Sequence, residues 1–327
     1  MFSTRIPLII PTTAKDYDRI TRNLGDFFRL LPVKEVIFIG PAALEPLVLR
    51  DAKTFENDGP VRYINENDLI SFDILTQVMR EHLRAGGFAM SADSKPGWYY
   101  QQFLKMSFSD ICEDEYYMSW DADTIPLRET EMFDPQGRPY FDVKTEYLQS
   151  YFRTIKKVWG YDKAIEPSFI SEHMIFKTSF MKELIAETEA LDIKGEKYYE
   201  KIFFSLPYDK DLMRGFSEFE TYGTWVLNNH PDFYAHRDWH SMRITGAFTK
   251  PEDLTGEDKA WLASDYDAAT FESYHVFSPE LAEFFRDPRY RSRISARQFY
   301  QIVLESGFFG DMESGGLKSS DGDLFAV

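Results

Sequence analysis

Short apolar runs alternate with stretches of helical spacing along the N-terminal part of the chain. IPLIIPTT (6–13) predicts a buried strand ending at Pro11. AKDYDRITRNLGDFFRLL (14–31) predicts a helix with Asp16 and Asp18 in its first turn, where the helix dipole favours them. VKEVIFIG (33–40) predicts a second strand closed by Gly40 and Pro41, with a short helix near AALEPLVL. VRYINEND (61–68) reads as a third strand and DLISFDILTQVMREHLRA (68–85) as a helix. GWYYQQFLKMSFSDIC (97–112) follows as a helix with Gln101, Gln102 and Lys105 expected on its surface, and EYYMSWDAD (115–123) as a fourth strand. Strand alternating with helix marks parallel βαβ units, so an α/β fold is expected.

The second half is less regular. YFDVKTEYLQSYFRTIKKVWG (140–160) reads as strand then helix, and SFISEHMIFKTSFMKELIAETEAL (168–191) as strand, turn and helix. GFSEFETYGTWVLNNH (215–230) predicts a helix capped by Ser217, with Glu220 three residues on completing a capping box. DKAWLASDYDAATFESYHVFSPELAEFF (258–285) reads as helix, loop and helix. No repeat or linker interrupts the chain. One domain over 1–305 is expected, with a first half to about 130, a second half from about 131, and a partly mobile Gly/Ser/Asp-rich tail at 306–327.

Composition narrows the function classes. With 43% hydrophobic and 17% aromatic residues a large core is available, which excludes global disorder. The net charge of −17 repels nucleic acid, and it repels a phosphorylated substrate too unless a cation or local basic groups intervene. The single cysteine, Cys112, excludes intrachain disulfides and cysteine-based zinc clusters. No long apolar leader or membrane-length run is visible, so a cytoplasmic protein is expected.

Asp-x-Asp occurs five times, at 16/18, 121/123, 209/211, 265/267 and 321/323. Four of these fall in expected helix starts or polar loops, where solvated carboxylates are the rule. Asp121 and Asp123 alone emerge from an apolar strand and precede another apolar segment. Carboxylates so close repel each other and are costly to bury unpaired, and a hard divalent cation relieves both problems. The alternative is a strand-end turn closed by side-chain-to-backbone bonds.

GWYYQQFLKM (97–106), YYMSWDADTIPL (116–127), SEHMIF (171–176) and FSEFETYG (216–223), preceded by PTTAKD (11–16), give the chain its likeness to known proteins. It resembles the GT-A glycosyltransferases, and more specifically a family of bacterial glycosyltransferase-like proteins of unknown function. The resemblance implies a GT-A, Rossmann-like fold: a mostly parallel sheet flanked by helices, with a helical C-terminal elaboration. It implies transfer of a sugar, as by a hexosyltransferase, from a nucleotide diphosphate donor, UDP favoured, to a glycan or lipid-linked saccharide in surface polysaccharide synthesis. By position, Pro11, Thr12, Thr13, Asp16, Gln101 and Lys105 would bind the donor, although Thr13 and Asp16 equally suit a helix cap. Asp123 would hold Mn2+ or Mg2+, and Asp121 the ribose or the metal. His275 is favoured over His236 and His240 as a third metal ligand. Glu172, His173, Glu218 and Glu220 would serve the acceptor, with Glu218 the better base if the capping box engages Glu220, and Glu220 otherwise.

Two further readings bear on function. The stretch RDPRYRSRISAR, Arg286–Arg297, holds five arginines in an acidic protein, suiting either a solvated helix face or contact with anionic lipid at the inner face of a membrane. Haloacid-dehalogenase-type phosphohydrolases also carry Asp-x-Asp after a strand, but want Thr or Val where Ile125 stands and place the motif on the first strand. A non-catalytic nucleotide-sugar-binding domain would keep the same fold. A nucleotidyltransferase would want a Gly-rich basic loop where PTTAKDYDR stands.

Overall fold

In the computed structural model, which describes residues 4–91, 94–208, 214–272 and 275–306, a five-stranded sheet runs in the order β3-β2-β1-β4-β7. Its strands are β1 (Ile6–Pro11), β2 (Val33–Gly40), β3 (Val61–Asn65), β4 (Tyr116–Trp120) and β7 (His173–Lys177). The first four are mutually parallel, and β7 is antiparallel to β4. Side chains alternate between faces. Leu8 and Ile10 of β1 join a core with α1 (Ala14–Thr21), α2 (Leu24–Leu30) and α3 (Glu45–Ala52). Ile9 joins the opposite core, under α4 (Phe72–Ala85), α5 (Pro96–Ser107), α6 (Gln149–Trp159), α7 (Thr178–Ala190), α8 (Tyr198–Ser205) and α9 (Glu218–Asn229). With helices on both faces the inner strands can be apolar throughout, which is why their runs were legible.

The second half adds two small sheets. β5 (Thr124–Pro126), β10 (Ala268–Thr270) and β9 (Ser241–Met242) form one, and β6 (Tyr140–Val143) pairs with β8 (Ala235–Asp238). A third core lies between the β5–β10–β9 sheet and α10 (Gly256–Leu262), α11 (Pro279–Arg286) and α13 (Ala296–Glu305), with α12 (Pro288–Arg291) alongside.

Three expectations need correcting. The helix expected over 14–31 is two helices, parted at Arg22–Asn23 because the buried Asn23 is drawn outward, accepting from Lys259 Nζ at 2.6 Å and donating to Pro251 O at 3.5 Å. The helix expected from 68 starts at Phe72, where Ser71 caps it by accepting from Ile74 N. The region 258–285, read as helix, loop and helix, contains β10, whose three residues are too few to show a period. The expected tail lies outside the described residues except for Ser306, as do the Asp-x-Asp pairs at 209/211 and 321/323.

His82 of α4 is fully buried, stacked on Tyr208 at 4.4 Å with Phe204 edge-on. Burial, then the nearby Lys157, push its imidazole down to about 4. Between about 4 and 6.5 the unfolded chain binds a proton there that the fold refuses, so stability is lost as pH falls through that window. Replacing His82 with Leu should therefore flatten the decline in unfolding free energy between pH 6.5 and 4, by on the order of 2–3 kcal/mol, in urea titrations at each pH.

Candidate functional site

The parallel register of β1 and β4, Leu8 with Met118 and Ile9 with Ser119, brings Pro11 and Asp121 to the same carboxyl edge of the sheet. In open α/β sheets that edge is where ligands bind. Gly40 ends β2 beside them, and a Cβ there would lie 2.3 Å from Thr12 O, so only glycine allows this approach. Asp121 N donates to Glu172 O (2.9 Å), carrying the β4–β7 ladder one residue further, and Thr124 N donates to Asp121 O (3.1 Å), closing a turn. β5 then leaves the main sheet and pairs with β10, Thr124 opposite Thr270, while Phe271 N donates to Asp123 O (2.7 Å). The two aspartates thus sit on a turn held from both sides.

Lys105 lies beneath this turn. It is 2% exposed, a correction to its expected surface position, because α5 is buried on most of its circumference. Gln102 is likewise buried, donating to Trp98 O and accepting from Glu218 N, while Gln101 is half-buried. The Lys105 ammonium donates to Asp121 Oδ1 at 2.6 Å and Glu218 Oε1 at 2.7 Å. Burial would lower its pKa, but Asp121 and then Glu218 outweigh it, so the lysine stays charged. One cation between two carboxylates leaves a surplus negative charge. The deeper one, Glu218, is accordingly pushed up, by burial first and also by Asp121.

Asp123 is half-buried, and its carboxyl is pushed well up by burial, then by Glu272 and Asp121, with only Arg243 prominent among the groups opposing them. Arg243 donates to Glu146 Oε2 and Glu272 Oε1, both at 2.7 Å, and lies 3.7 Å from Glu172 Oε1. Glu172 also accepts from Lys144 Nζ (2.8 Å), Ser241 Oγ (3.0 Å) and Trp239 Nε1 (3.1 Å). Burial works against its charge, but Lys144 and Arg243 hold the carboxyl below the usual range. Its backbone has φ of +64°, a strained value for a residue other than glycine.

Several of the expected acceptor-side residues are buried and engaged within the protein. Glu172, expected on the acceptor side, is 4% exposed with its carboxylate engaged by Lys144, Ser241 and Trp239. His173, 2% exposed, is packed between Trp120 and Trp239, and its ring nitrogens face Asp142 Oδ2 (2.8 Å) and Ser171 O (2.9 Å), both acceptors. Both of its ring nitrogens are engaged inside the protein. Ser217 caps α9 by accepting from Glu220 N, yet the Glu220 side chain does not complete the box. It accepts from Ser168 Oγ (2.6 Å) and Phe169 N (3.3 Å), pinning the segment that leads into Glu172, while Gly223 gives Phe169 room against the same helix. Burial pushes Glu220 up to about 7, a value suited to a base, but at 1% exposure it faces the protein interior.

Thr13 is the cap of α1, donating to Asp16 Oδ2 (2.8 Å) and accepting from Asp16 N, and Asp16 also pairs with Arg19. Both remain at the edge near Asp121, beside the buried Pro11 and Thr12. Among the three histidines weighed, His275 alone follows β10 past the aspartate turn. Burial and then Arg243 push its imidazole down to about 4, leaving it neutral with a nitrogen lone pair. His236 is exposed on β8, and the backbone N–H of His240 is bound by Asp267. Lys144, Glu146, Arg243 and Glu272 gave no signal in the sequence, since β9 and β10 are too short for a pattern and their meeting depends on non-local pairing.

Among the described residues, no three His, Cys, Asp or Glu side chains are gathered as a preformed metal cage. Mg2+ and Mn2+ are commonly held by only one or two carboxylates, with substrate phosphates completing the shell. A crowded, half-buried Asp123 with Glu272 and Asp121 nearby fits that mode, because an added cation would relieve their mutual repulsion.

Removing the shared ammonium would leave Asp121 and Glu218 facing each other. Lys105→Met should cost about 3–5 kcal/mol of folding free energy at pH 7, and the deficit should shrink as pH falls and Glu218 takes up a proton. Urea denaturation of both proteins at pH 7 and pH 5 measures both effects.

No curated protein matches the chain. Solved structures similar to it include mouse xyloside xylosyltransferase 1 in its apo form (12% identity, TM-score 0.45, covering 84% of this chain and 100% of that one). Glycosyltransferase GlyE of Streptococcus pneumoniae is similar at 10% identity and TM-score 0.39, over 94% of this chain and 64% of that one. An active-site mutant of LgtC is similar at 10% identity and TM-score 0.42, over 92% and 96%. At the level of sequence, residues 4–286 match a family of unknown function (DUF6492), and the chain belongs to that family.

Proposed function

We propose that the protein is a metal-dependent glycosyltransferase that takes a sugar from a nucleoside diphosphate donor, UDP favoured, and passes it to a saccharide or lipid-linked saccharide in polysaccharide assembly. The observation that carries this reading is the charge balance around the turn at the carboxyl edge of the sheet. Among the described residues, Asp121, Asp123, Glu146, Glu172, Glu218 and Glu272 outnumber the cations that reach them, Lys105, Lys144 and Arg243. Such a site wants a divalent cation and, through it, admits phosphate to a protein of net charge −17.

Asp123, with His275 as a further ligand, would hold the cation, which when bound supplies Lewis acidity to the diphosphate of the departing nucleotide. Asp121, fixed by Lys105, presents its other oxygen to ribose or metal. Thr12, Thr13 and Asp16 border the same edge and suit the nucleoside. Glu218 and Glu220 act by holding Lys105 and the segment 168–172, and so keep the turn in register. The exposed Arg286, Arg293 and Arg297 suit contact with anionic lipid, whereas Arg291 is engaged by Asp258 and Arg289 by Asp287. Among the described residues, no helix is long and apolar enough to cross a membrane.

Thermal unfolding with and without Mn2+ tests the catalytic reading. UDP or GDP should raise the melting temperature only when Mn2+ is present, by the equivalent of about 2.7 kcal/mol at a hundredfold excess over Kd, and Asp123→Ala should abolish the shift. Metal-dependent release of phosphate from phosphoesters, with no response to nucleotides, would overturn it. Sedimentation with vesicles tests the lipid contact. Phosphatidylglycerol vesicles should carry down the protein and neutral phosphatidylcholine vesicles should not, with binding lost when Arg286, Arg293 and Arg297 become Gln.

A further inference from the structure

The three cations near the aspartate turn differ in how they are held. The Lys105 side chain is 3% exposed between two carboxylates, and Lys144 is 15% exposed and tied to Glu172 and Ser241. Arg243 is the most open of the three, at 24%, and its partner Glu146 is more open still, at 29%. Glu146 lies between β6 and α6, far from Arg243 in sequence, and an ion pair so near solvent is cheaply exchanged.

Strand register fixes where Arg243 stands. Ser241 and Met242 pair with Ala268 and Ala269, so Arg243 is carried to the level of Thr270, which pairs with Thr124 next to Asp123. Its guanidinium also holds Glu272, the residue after Phe271, whose N–H is bonded to Asp123 O. A planar guanidinium with several donors matches phosphate oxygens in a way that neither buried lysine can. Glu146, Glu172 and Glu272 stand around this guanidinium and Asp123 feels its charge, so an anion arriving there is helped by this cation and by a metal that offsets the carboxylates.

We propose that Arg243 is the anion-binding cation of the aspartate site: it releases Glu146 and takes a phosphate of the bound nucleoside diphosphate, with Glu146 as the competitor that occupies it in the free protein. This rests on the glycosyltransferase reading above. A cation beside a metal site repels a bare metal ion but attracts a metal–diphosphate complex, so removing it has opposite effects on the two ligands.

The test measures Mn2+ binding alone, from the paramagnetic resonance of the free ion, and UDP binding in saturating Mn2+, by calorimetry. Arg243→Met should bind Mn2+ a few-fold more tightly and UDP about tenfold or more weakly, as expected for losing a charged hydrogen bond to phosphate. Glu146→Gln should bind UDP more tightly, because the competitor has lost its charge, and this variant keeps the guanidinium in place should Arg243→Met fail to fold. Mn2+ and UDP both weakened together in Arg243→Met, or UDP binding unchanged in either variant, would show Arg243 to be a strut and overturn the proposal. Wild-type protein that binds Mn2+ but no nucleoside diphosphate would sink the glycosyltransferase reading itself, and this inference with it.

Discussion

The Lys105 ammonium joins three parts of the chain that are far apart in sequence: the helix α5, the turn after β4 and the first turn of α9. Its removal from water is compensated because Asp121 and Glu218 both reach it, and the buried Glu218 in turn depends on the lysine, while Asp121 stays partly open to solvent. The interdependence makes the turn geometry a property of the fold. Asp121 cannot swing away without leaving a buried charge behind, and α9 cannot shift without doing the same. Asp123, two residues on, inherits that rigidity while having no lysine of its own. The result is one carboxylate that is neutralised and fixed beside another that is crowded and under-compensated. A strand-end turn serving only to reverse the chain would have no use for this asymmetry.

Around the turn the protein tolerates backbone strain to keep the same geometry. Glu172 sits at positive φ with its carbonyl on Asp121 N and its carboxylate on Lys144, Ser241 and Trp239. Strain of this kind persists only where the surroundings over-determine it. Glu220 contributes from below by pinning Ser168 and Phe169, and His173 contributes by bridging Asp142 inside an aromatic sandwich. These polar residues are therefore best understood as the frame of the site.

Much of this was legible in the sequence and some was not, for physical reasons. Strands buried on both faces are continuous apolar runs, so β1, β2 and β4 announced themselves, and the position of Asp121 and Asp123 at a strand's end followed from them. Lys105 was misjudged because a lysine on a helix is usually solvated, and only the tertiary arrangement reveals that α5 is enclosed. The capping box at Ser217 was half right: the backbone bond forms, but a partner 52 residues away competes successfully for the Glu220 side chain. Arg243 was invisible because its place is set by two strands of two and three residues that pair across the chain, and such pairings leave no local period.

The net charge of −17 gains a more specific meaning from the site. Charges spread over the surface are screened beyond about 8 Å at physiological ionic strength, so the protein's overall field would do little to an anion already at the aspartate turn. What that anion meets is the local imbalance between carboxylates and cations, which salt screens far less where the groups are partly buried. In the proposed function a divalent ion would turn this repulsive local field into an attractive one for phosphate, so metal and anion occupancy would be energetically linked even with no movement of the fold. Lys105 and Lys144 have no part in that exchange, since their charges are already spent on the frame. On the proposal made above, the linkage would run through Asp123 and through Arg243, the most solvent-open of these cations although it is paired with Glu146, Glu172 and Glu272.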